Sequence, residues 1–233
     1  VLSAINRSTG QKGLRVDQET KSLIAYAQQL FKDSDGLFDI TSGILREAWD
    51  FKTGKLPGKK ALSDMLPKVG MHHLLMTGDQ LSLSCGEIDF GGFGKEYAAD
   101  RAARTLKENG VEHALVNLSG DIHAIGTKPD GQPWQIGIQH PRDSRRMLAE
   151  VPLSAGGLAT SGDYMRYMQI GSQRYCHVLN PKTGWPVDYW QSVTVIAPTT
   201  LLAGSLSTLV MLKEAEGLTI LQNSKISYLA VDK

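Results

Sequence analysis

The stretch DFGGFGKEYAADRA, residues 89 to 102, carries the densest chemistry in the chain. Gly91, Gly92 and Gly94 stand between a short expected strand and a helix, where glycine lets a backbone turn tightly and approach a ligand. N–H groups at the start of that helix attract an anion, its dipole helps, and Lys95 adds a full positive charge. That is the physics of a phosphate cradle, and the same residues also suit a plain structural turn. Two nucleotide fingerprints fail here. Glu96 stands where the Walker pattern needs Ser or Thr, and Asp89 where it needs Gly; Tyr97 stands where the dinucleotide pattern ends in Gly.

Four further clusters hold reactive side chains. In RYCHVLNPKTGWPV, residues 174 to 187, His177 ends a strand just before the turn Asn180-Pro181-Lys182-Thr183-Gly184. A histidine there suits a general base, and equally a partly buried structural role. In LATSGDYMRY, Thr160, Ser161 and Asp163 surround Gly162 and read as a polar turn. In NLSGDIHAIG, Asn117, Ser119 and Asp121 surround Gly120, and His123, alternating with Ile122, suits a reactive position and equally a plain solvent-facing one. In SVTVIAPTTLLAGSLST, Gly204 and Thr208 fall at i and i+4 and share a helix face.

The elements that must position these residues follow from periodicity. A helix is expected from about Val16 to Lys32, N-capped by Asp17, with Leu23, Ile24, Ala27, Leu30 and Phe31 as its apolar stripe. Asp33-Ser34-Asp35-Gly36 ends it, and Gly36 to Leu45 reads as a turn entering a shorter helix. Lys52 to Lys60 reads as a loop, and Leu62 to Leu66 as a helical turn before Pro67. Leu81–Leu83 and Glu87–Asp89 read as short strands. Lys95 to Glu108 reads as a helix with a face of Ala98, Ala99, Ala102, Ala103 and Leu106, capped at Asn109-Gly110. Strands are expected at Ala114–Val116, Asp121–Ile125, Trp134–Ile138 and Leu158–Thr160, and a hairpin over Met165–Cys176 turning at Gly171-Ser172. The uncharged run Tyr189–Leu212 is too rich in Ser and Thr, and too clearly broken by Pro198, for a membrane span. It reads as a strand followed by a helix from Thr200. A short helix and the strand Ile226–Val231 close the chain. The fold class is therefore α+β, a mixed and mostly antiparallel β-sheet core with packed helices.

Composition fits that reading. The 233 residues suit one large domain, or one with a lobe; 41% are hydrophobic and 21% charged, which excludes disorder, coiled coil and collagen. Lys plus Arg number 25 against 24 Asp plus Glu, which argues against nucleic acid as a partner. Cys85 and Cys176 form no C-x-x-C pair and fit either one disulfide or two thiols. Val1–Asn6 has no basic n-region and no long apolar run.

The clusters, taken in order from GLFDITSGIL (36 to 45) to Thr208, resemble the ApbE family of flavin transferases. Gly94-Lys95-Glu96-Tyr97 is most similar to a NosX-like subgroup that includes proteins of nitrous-oxide reductase maturation. The resemblance implies an ApbE-like (T-fold-like) architecture in a single domain over residues 1 to 233. It implies FAD as donor, Mg2+ as cofactor, and transfer of FMN to a Thr or Ser hydroxyl of an acceptor flavoprotein with release of AMP. Leu37, Phe38 and Asp39 match a flavin-nucleotide contact segment, Asp89 and Lys95 further FAD contacts, and Val178 lies close to another. Gly92 matches a metal ligand that uses its backbone carbonyl, Ser207 and Thr208 match the metal-binding hydroxyl positions, and His177 matches the proposed catalytic base.

There are two departures. The family has an Asp four residues before the metal-binding Thr, and Gly204 stands there, so the metal site is weakened, rebuilt by another acid or absent. The family's N-terminal strand, with further flavin-contacting residues, has no counterpart in this sequence. The resemblance also implies a periplasmic location, or a membrane anchor through an N-terminal lipid or signal segment. Two rival readings use the same site: an FAD-binding accessory protein with little or no transfer, favoured by Gly204, and an FAD pyrophosphatase with water as nucleophile.

Overall fold

The structure is a computed structural model and describes residues 1–51 and 54–233. It divides into two compact units, each built from two stretches of chain: Val1–Phe90 with Tyr167–Val187, and Gly91–Arg166 with Asp188–Lys233. All the ladders between named strands are antiparallel, and helices accompany them in both units, so the α+β reading holds. Among the described residues no helix is long and apolar enough to cross a membrane.

The first unit opens with helix α1 (Leu2–Arg7), which the sequence reading missed; six residues with one buried side chain, Ile5, leave little periodicity to read. Strand β1 (Leu14–Arg15) leads to α2 (Gln18–Asp33), where Asp17 accepts the Thr20 N–H as expected of an N-cap. Thr20, Ile24, Ala27 and Leu30 form its buried stripe. The helix stops where expected: Asp35 and Gly36 take left-handed φ of 54° and 82°. The chain then makes a 3-10 turn at Gly43–Glu47. The loop expected over Lys52–Lys60 falls partly on residues 52 and 53, outside the described residues, and α3 (Lys59–Met65) begins within its far end. Strands β2 (Leu74–Thr77) and β3 (Gln80–Leu83) complete a three-stranded sheet with β1.

The strand expected at Glu87–Asp89 does not form. Only Glu87 makes a bridge, parallel to Ser42, because Gly86 turns the chain at φ 85° and the Asp89 N–H goes to the Ile40 carbonyl at 2.7 Å. Strands β9 (Tyr167–Ile170) and β10 (Gln173–Cys176) form the expected hairpin, turning at Gly171 with φ 58°. One core cluster here joins Trp49, Leu62 and Met168, and the Trp49 indole N–H donates to the Gly184 carbonyl at 2.7 Å. Cys85 and Cys176 are not joined in a disulfide.

The second unit holds a five-stranded sheet in the order β12-β11-β8-β5-β4. Its strands are β4 (Ala114–Leu118), β5 (Asp121–Ile125), β8 (Gly156–Gly162), β11 (Trp190–Ala197) and β12 (Ser227–Asp232). The hairpin of β6 (Trp134–His140) and β7 (Asp143–Leu153) packs on it through Ile136 and Leu153, against Ile122, Ala124 and Leu158. Strand β7 was missed because its first half, with Arg145 and Arg146, is exposed and polar and lacks alternation. Helix α4 (Gly94–Glu108) packs on β4 and β5, and α5 (Thr200–Lys213) on β8 and β11. Helix α5 is buried on nearly every side, as an apolar helix without a polar face must be, and α6 (Gly217–Ser224) packs against it.

The buried face of α4 differs from the expected one. Ala98, Ala102 and Leu106 are exposed, whereas Glu96, Ala99 and Ala103 are buried. Thr160 and Ser161 lie within β8 rather than in a polar turn, and the Thr160 hydroxyl pairs with that of its cross-strand partner Thr194 at 2.9 Å.

Candidate functional site: two clusters of polar side chains

In the first unit the segment GLFDIT is pinned by short hydrogen bonds. The Phe38 N–H donates to Ser34 Oγ at 2.8 Å. Asp39 Oδ1 accepts from the Thr41 N–H at 2.8 Å and from its hydroxyl at 2.7 Å, and Thr41 Oγ1 accepts the Gly70 N–H at 2.7 Å. Phe38 and Asp39 are buried and Leu37 is half-buried. Burial pushes the Asp39 carboxyl above its usual range, and the two bonds from Thr41 pull the other way. Asp39 lines a cleft of ≈ 370 Å3 with Phe31, His72, Pro181 and Lys182 among its walls.

Asp89 is held beside this segment through its N–H on Ile40, and its carboxylate pairs with Arg46, which also reaches Glu87 at 3.4 Å. Arg46 was not a candidate from sequence; a lone arginine in a short turn gives no signal there. His177 follows β10 and is exposed. Val178 is half-buried, and its carbonyl accepts the Val187 N–H at 3.0 Å, which closes the base of the Asn180–Gly184 turn. Pro181 and Lys182 of that turn line the cleft shared with Asp39.

The second cluster lies in the other unit, around the first turn of α4. Gly92 sits in the turn entering the helix, and Phe93 at the N-cap makes no side-chain capping bond. Lys95 is half in solvent and its ammonium pairs with Asp121, a carboxylate with only 3% exposure. Beside it Glu96 is 5% exposed, and its Oε2 is fully buried with no hydrogen-bond partner. Burial, and after it the Asp121 carboxylate, push Glu96 up to about 7. Gly204 on α5 faces this carboxylate: a Cβ there would stand 2.7 Å from Glu96 Oε1 and 2.8 Å from its Cδ.

One turn along α5, Ser207 and Thr208 meet Ser161 of β8, with Oγ separations of 2.8 and 3.1 Å. Ser207 donates to the Gly204 carbonyl at 3.0 Å. With one proton per hydroxyl, Ser161 then donates to Ser207 and Thr208 donates to Ser161, so the Thr208 oxygen keeps its lone pairs as acceptors. His123 is not a solvent-facing residue. Its side chain is 19% exposed and its Nδ1 lies 2.6 Å from Asp100 Oδ1.

The structure thus groups Leu37, Phe38, Asp39 and Asp89 in one unit and Lys95, Ser207 and Thr208 in the other, the latter among partners to which the sequence assigned no site role: Glu96, Asp121 and Ser161. Glu96 was legible in principle, since it shares an i, i+3, i+7 face with Ala99 and Ala103. Among the described residues no three His, Cys, Asp or Glu side chains converge as a metal cluster. A hard cation such as Mg2+ needs only one or two carboxylates beside hydroxyl, carbonyl and water oxygens, so an orphaned buried carboxylate oxygen, packed against the helix that carries two hydroxyls, suits it.

A family model described as the ApbE family matches residues 1–230. The chain belongs to the ApbE family. Among its ApbE relatives, the FAD:protein FMN transferase of Escherichia coli K12 is 31% identical over 222 residues, 90% of this chain and 63% of the relative. The chain thus spans less than two thirds of that relative's length. The crystal structure of an ApbE protein from Thermotoga maritima matches with a TM-score of 0.91 at 31% identity, over 100% of this chain and 78% of that one. The apo flavinyl transferase ApbE of Pseudomonas stutzeri matches with a TM-score of 0.85 at 33% identity, over 100% and 75%. The α+β architecture described above is therefore an ApbE fold.

Proposed function

We propose that the protein moves the FMN half of FAD to a Thr or Ser hydroxyl of an acceptor flavoprotein and releases AMP. The observation that carries the reading is the exposed imidazole of His177, followed within four residues by Pro181 of the cleft that Asp39 lines, in a chain whose relatives are named for this reaction. A hydroxyl is a weak nucleophile until a base takes its proton. His177 accepts that proton as the hydroxyl oxygen bonds to the phosphorus of the FMN half. The bond from that phosphorus to the bridging oxygen breaks, and AMP leaves with that oxygen.

Leu37, Phe38, Asp39, Asp89, Lys95 and Val178 are the residues we assign to FAD. Asp89 and Lys95 stand in ion pairs, with Arg46 and Asp121, in the absence of a ligand. The Gly92 carbonyl and the Ser207 and Thr208 hydroxyls are the oxygens we assign to Mg2+. The ion supplies positive charge where negative charge grows on the phosphoryl oxygens. The same reading places the protein in the periplasm, or on a membrane anchor, beside acceptors found there; cell fractionation tests it.

The direct test incubates the protein with FAD, Mg2+ and a candidate acceptor domain. In-gel flavin fluorescence of the acceptor after denaturation, with AMP in equal amount, is the expected result. Free FMN and AMP without labelled acceptor would make it a pyrophosphatase. Bound FAD with neither product would make it an accessory flavin carrier.

A further inference from the structure

Position 204 lacks the acid that its place on α5 calls for, and a carboxylate cannot simply be put back there. A Cβ at Gly204 would stand 2.7 Å from Glu96 Oε1 and 2.8 Å from Glu96 Cδ, inside van der Waals contact on both counts. Gly204 and Glu96 are therefore a matched pair: the missing side chain on α5 is the space that the α4 side chain fills.

The volume is filled by the same chemical group. An Asp carboxyl carbon lies ~1.5 Å from its Cβ, so it would sit no more than about 4.3 Å from the point that Glu96 Cδ now occupies. Glu96 also behaves as a ligand without its cation. It is 5% exposed, and its Oε2 has no hydrogen-bond partner. Burying a carboxylate oxygen unsatisfied is costly unless a positive charge meets it. An acid in the first turn of a helix is ordinary, but that preference concerns exposed or capping acids and does not explain an orphaned, buried oxygen. Gly204 lies one helical turn before Thr208, so the Glu96 carboxylate stands beside the helix that carries the Ser207 and Thr208 hydroxyls.

We infer that Glu96 supplies the carboxylate ligand of the divalent-cation site in place of an acid at position 204. The inference rests on the reading that this site takes Mg2+, and it adds the ligand that the motif lacked. The alternative is that Glu96 only shares a proton with Asp121 as a structural pair.

Mn2+ stands in for Mg2+ in the test, with free Mn2+ followed by electron paramagnetic resonance. Wild type, Glu96→Gln, Glu96→Gly and the exchange variant Glu96→Gly with Gly204→Asp are titrated, both bare and loaded with FAD. Glu96→Gln keeps the shape and a hydrogen bond to Asp121. We expect it to weaken Mn2+ binding at least about 10-fold, as Glu96→Gly does, and the exchange variant to recover most of the loss. Equal Mn2+ affinity in wild type and Glu96→Gln overturns the inference, as does a wild type that takes no Mn2+ in either form. FMN transfer is followed separately on the same samples. Transfer with unchanged Mn2+ affinity in Glu96→Gln sinks the ligand and spares the transferase. Mn2+ binding that depends on Glu96 without any transfer does the reverse.

Discussion

The carboxylate of Asp100 on α4 caps the first turn of α5, accepting the Thr200 N–H at 2.8 Å and the Leu201 N–H at 2.9 Å. His123 Nδ1 on β5 meets the same carboxylate at 2.6 Å. Three elements of the second unit are thus fastened at one side chain, and α5 is set before Gly204, Ser207 and Thr208 are reached.

Asp100→Asn is expected to destabilise the protein by about 2 kcal/mol at pH 7, because a charged acceptor serving two helix-start amides is lost. Burial draws the Asp100 carboxyl upward, but the bonds from His123, Leu201 and Thr200 outweigh it and hold it below the ordinary 3.8. The unfolded chain therefore takes up the proton first as pH falls. The stabilisation is full above 3.8 and is lost as pH drops through the lower folded value. Urea melts from pH 7 to pH 3 should show the wild-type advantage shrinking in acid; an advantage that stays constant with pH contradicts this account.

Arg142 grips Asp163 with two bonds, at 2.6 and 2.8 Å, and Asp163 is 2% exposed. Arg142→Ala takes the bidentate guanidinium away from a buried carboxylate. Because Arg142 itself is about one third exposed, the expected cost is about 2–3 kcal/mol rather than the full figure for a buried pair. Adding Asp163→Asn should return part of it, and a double variant no more stable than Arg142→Ala would show that the loss is one of packing.

Gly157 in β8 has no room for a methyl group. A Cβ there would stand 2.5 Å from the Thr199 carbonyl carbon, and closer still to the Thr200 backbone. Backbone cannot rotate away as a side chain can. Gly157→Ala is expected to cost about 3 kcal/mol or more, read as a fall in soluble yield and in the urea midpoint.

His177→Ala should lower the rate of FMN transfer by about 100- to 10,000-fold while FAD affinity, measured by fluorescence quenching, stays at the wild-type level. A matching loss of FAD affinity would make His177 a binding residue instead.

What was legible in the sequence was whatever repeats. The Asp17 cap, the α2 stripe, the Gly171 turn and the Pro198 break between β11 and α5 all rest on local rules, and the structure follows them. Elements set by distant partners were not legible. Glu87–Asp89 looks like a strand, but its donor is taken by Ile40, about fifty residues earlier in the chain. β7, with its polar first half, gives no strand pattern by itself and is defined by its ladder with β6. The site divides the same way. Ordered motifs pointed to Asp39, Lys95 and Thr208, because each sits in a recognisable string. Glu96 entered only as a mismatch to the Walker pattern, because its contact with Gly204 lies more than a hundred positions along the sequence.

The two-stretch build of the first unit has a consequence during synthesis. The indole N–H of Trp49 bonds to the carbonyl of Gly184, 135 positions later. At roughly 5–20 residues per second, that carbonyl is made about seven to twenty-seven seconds after the ring. Until then the Trp49 indole N–H has no Gly184 carbonyl to donate to, and for most of that interval Met168, its neighbour in the core, is also still unmade. The nascent chain therefore presents a half-finished apolar surface over that interval, the one in which a chaperone would have most to do.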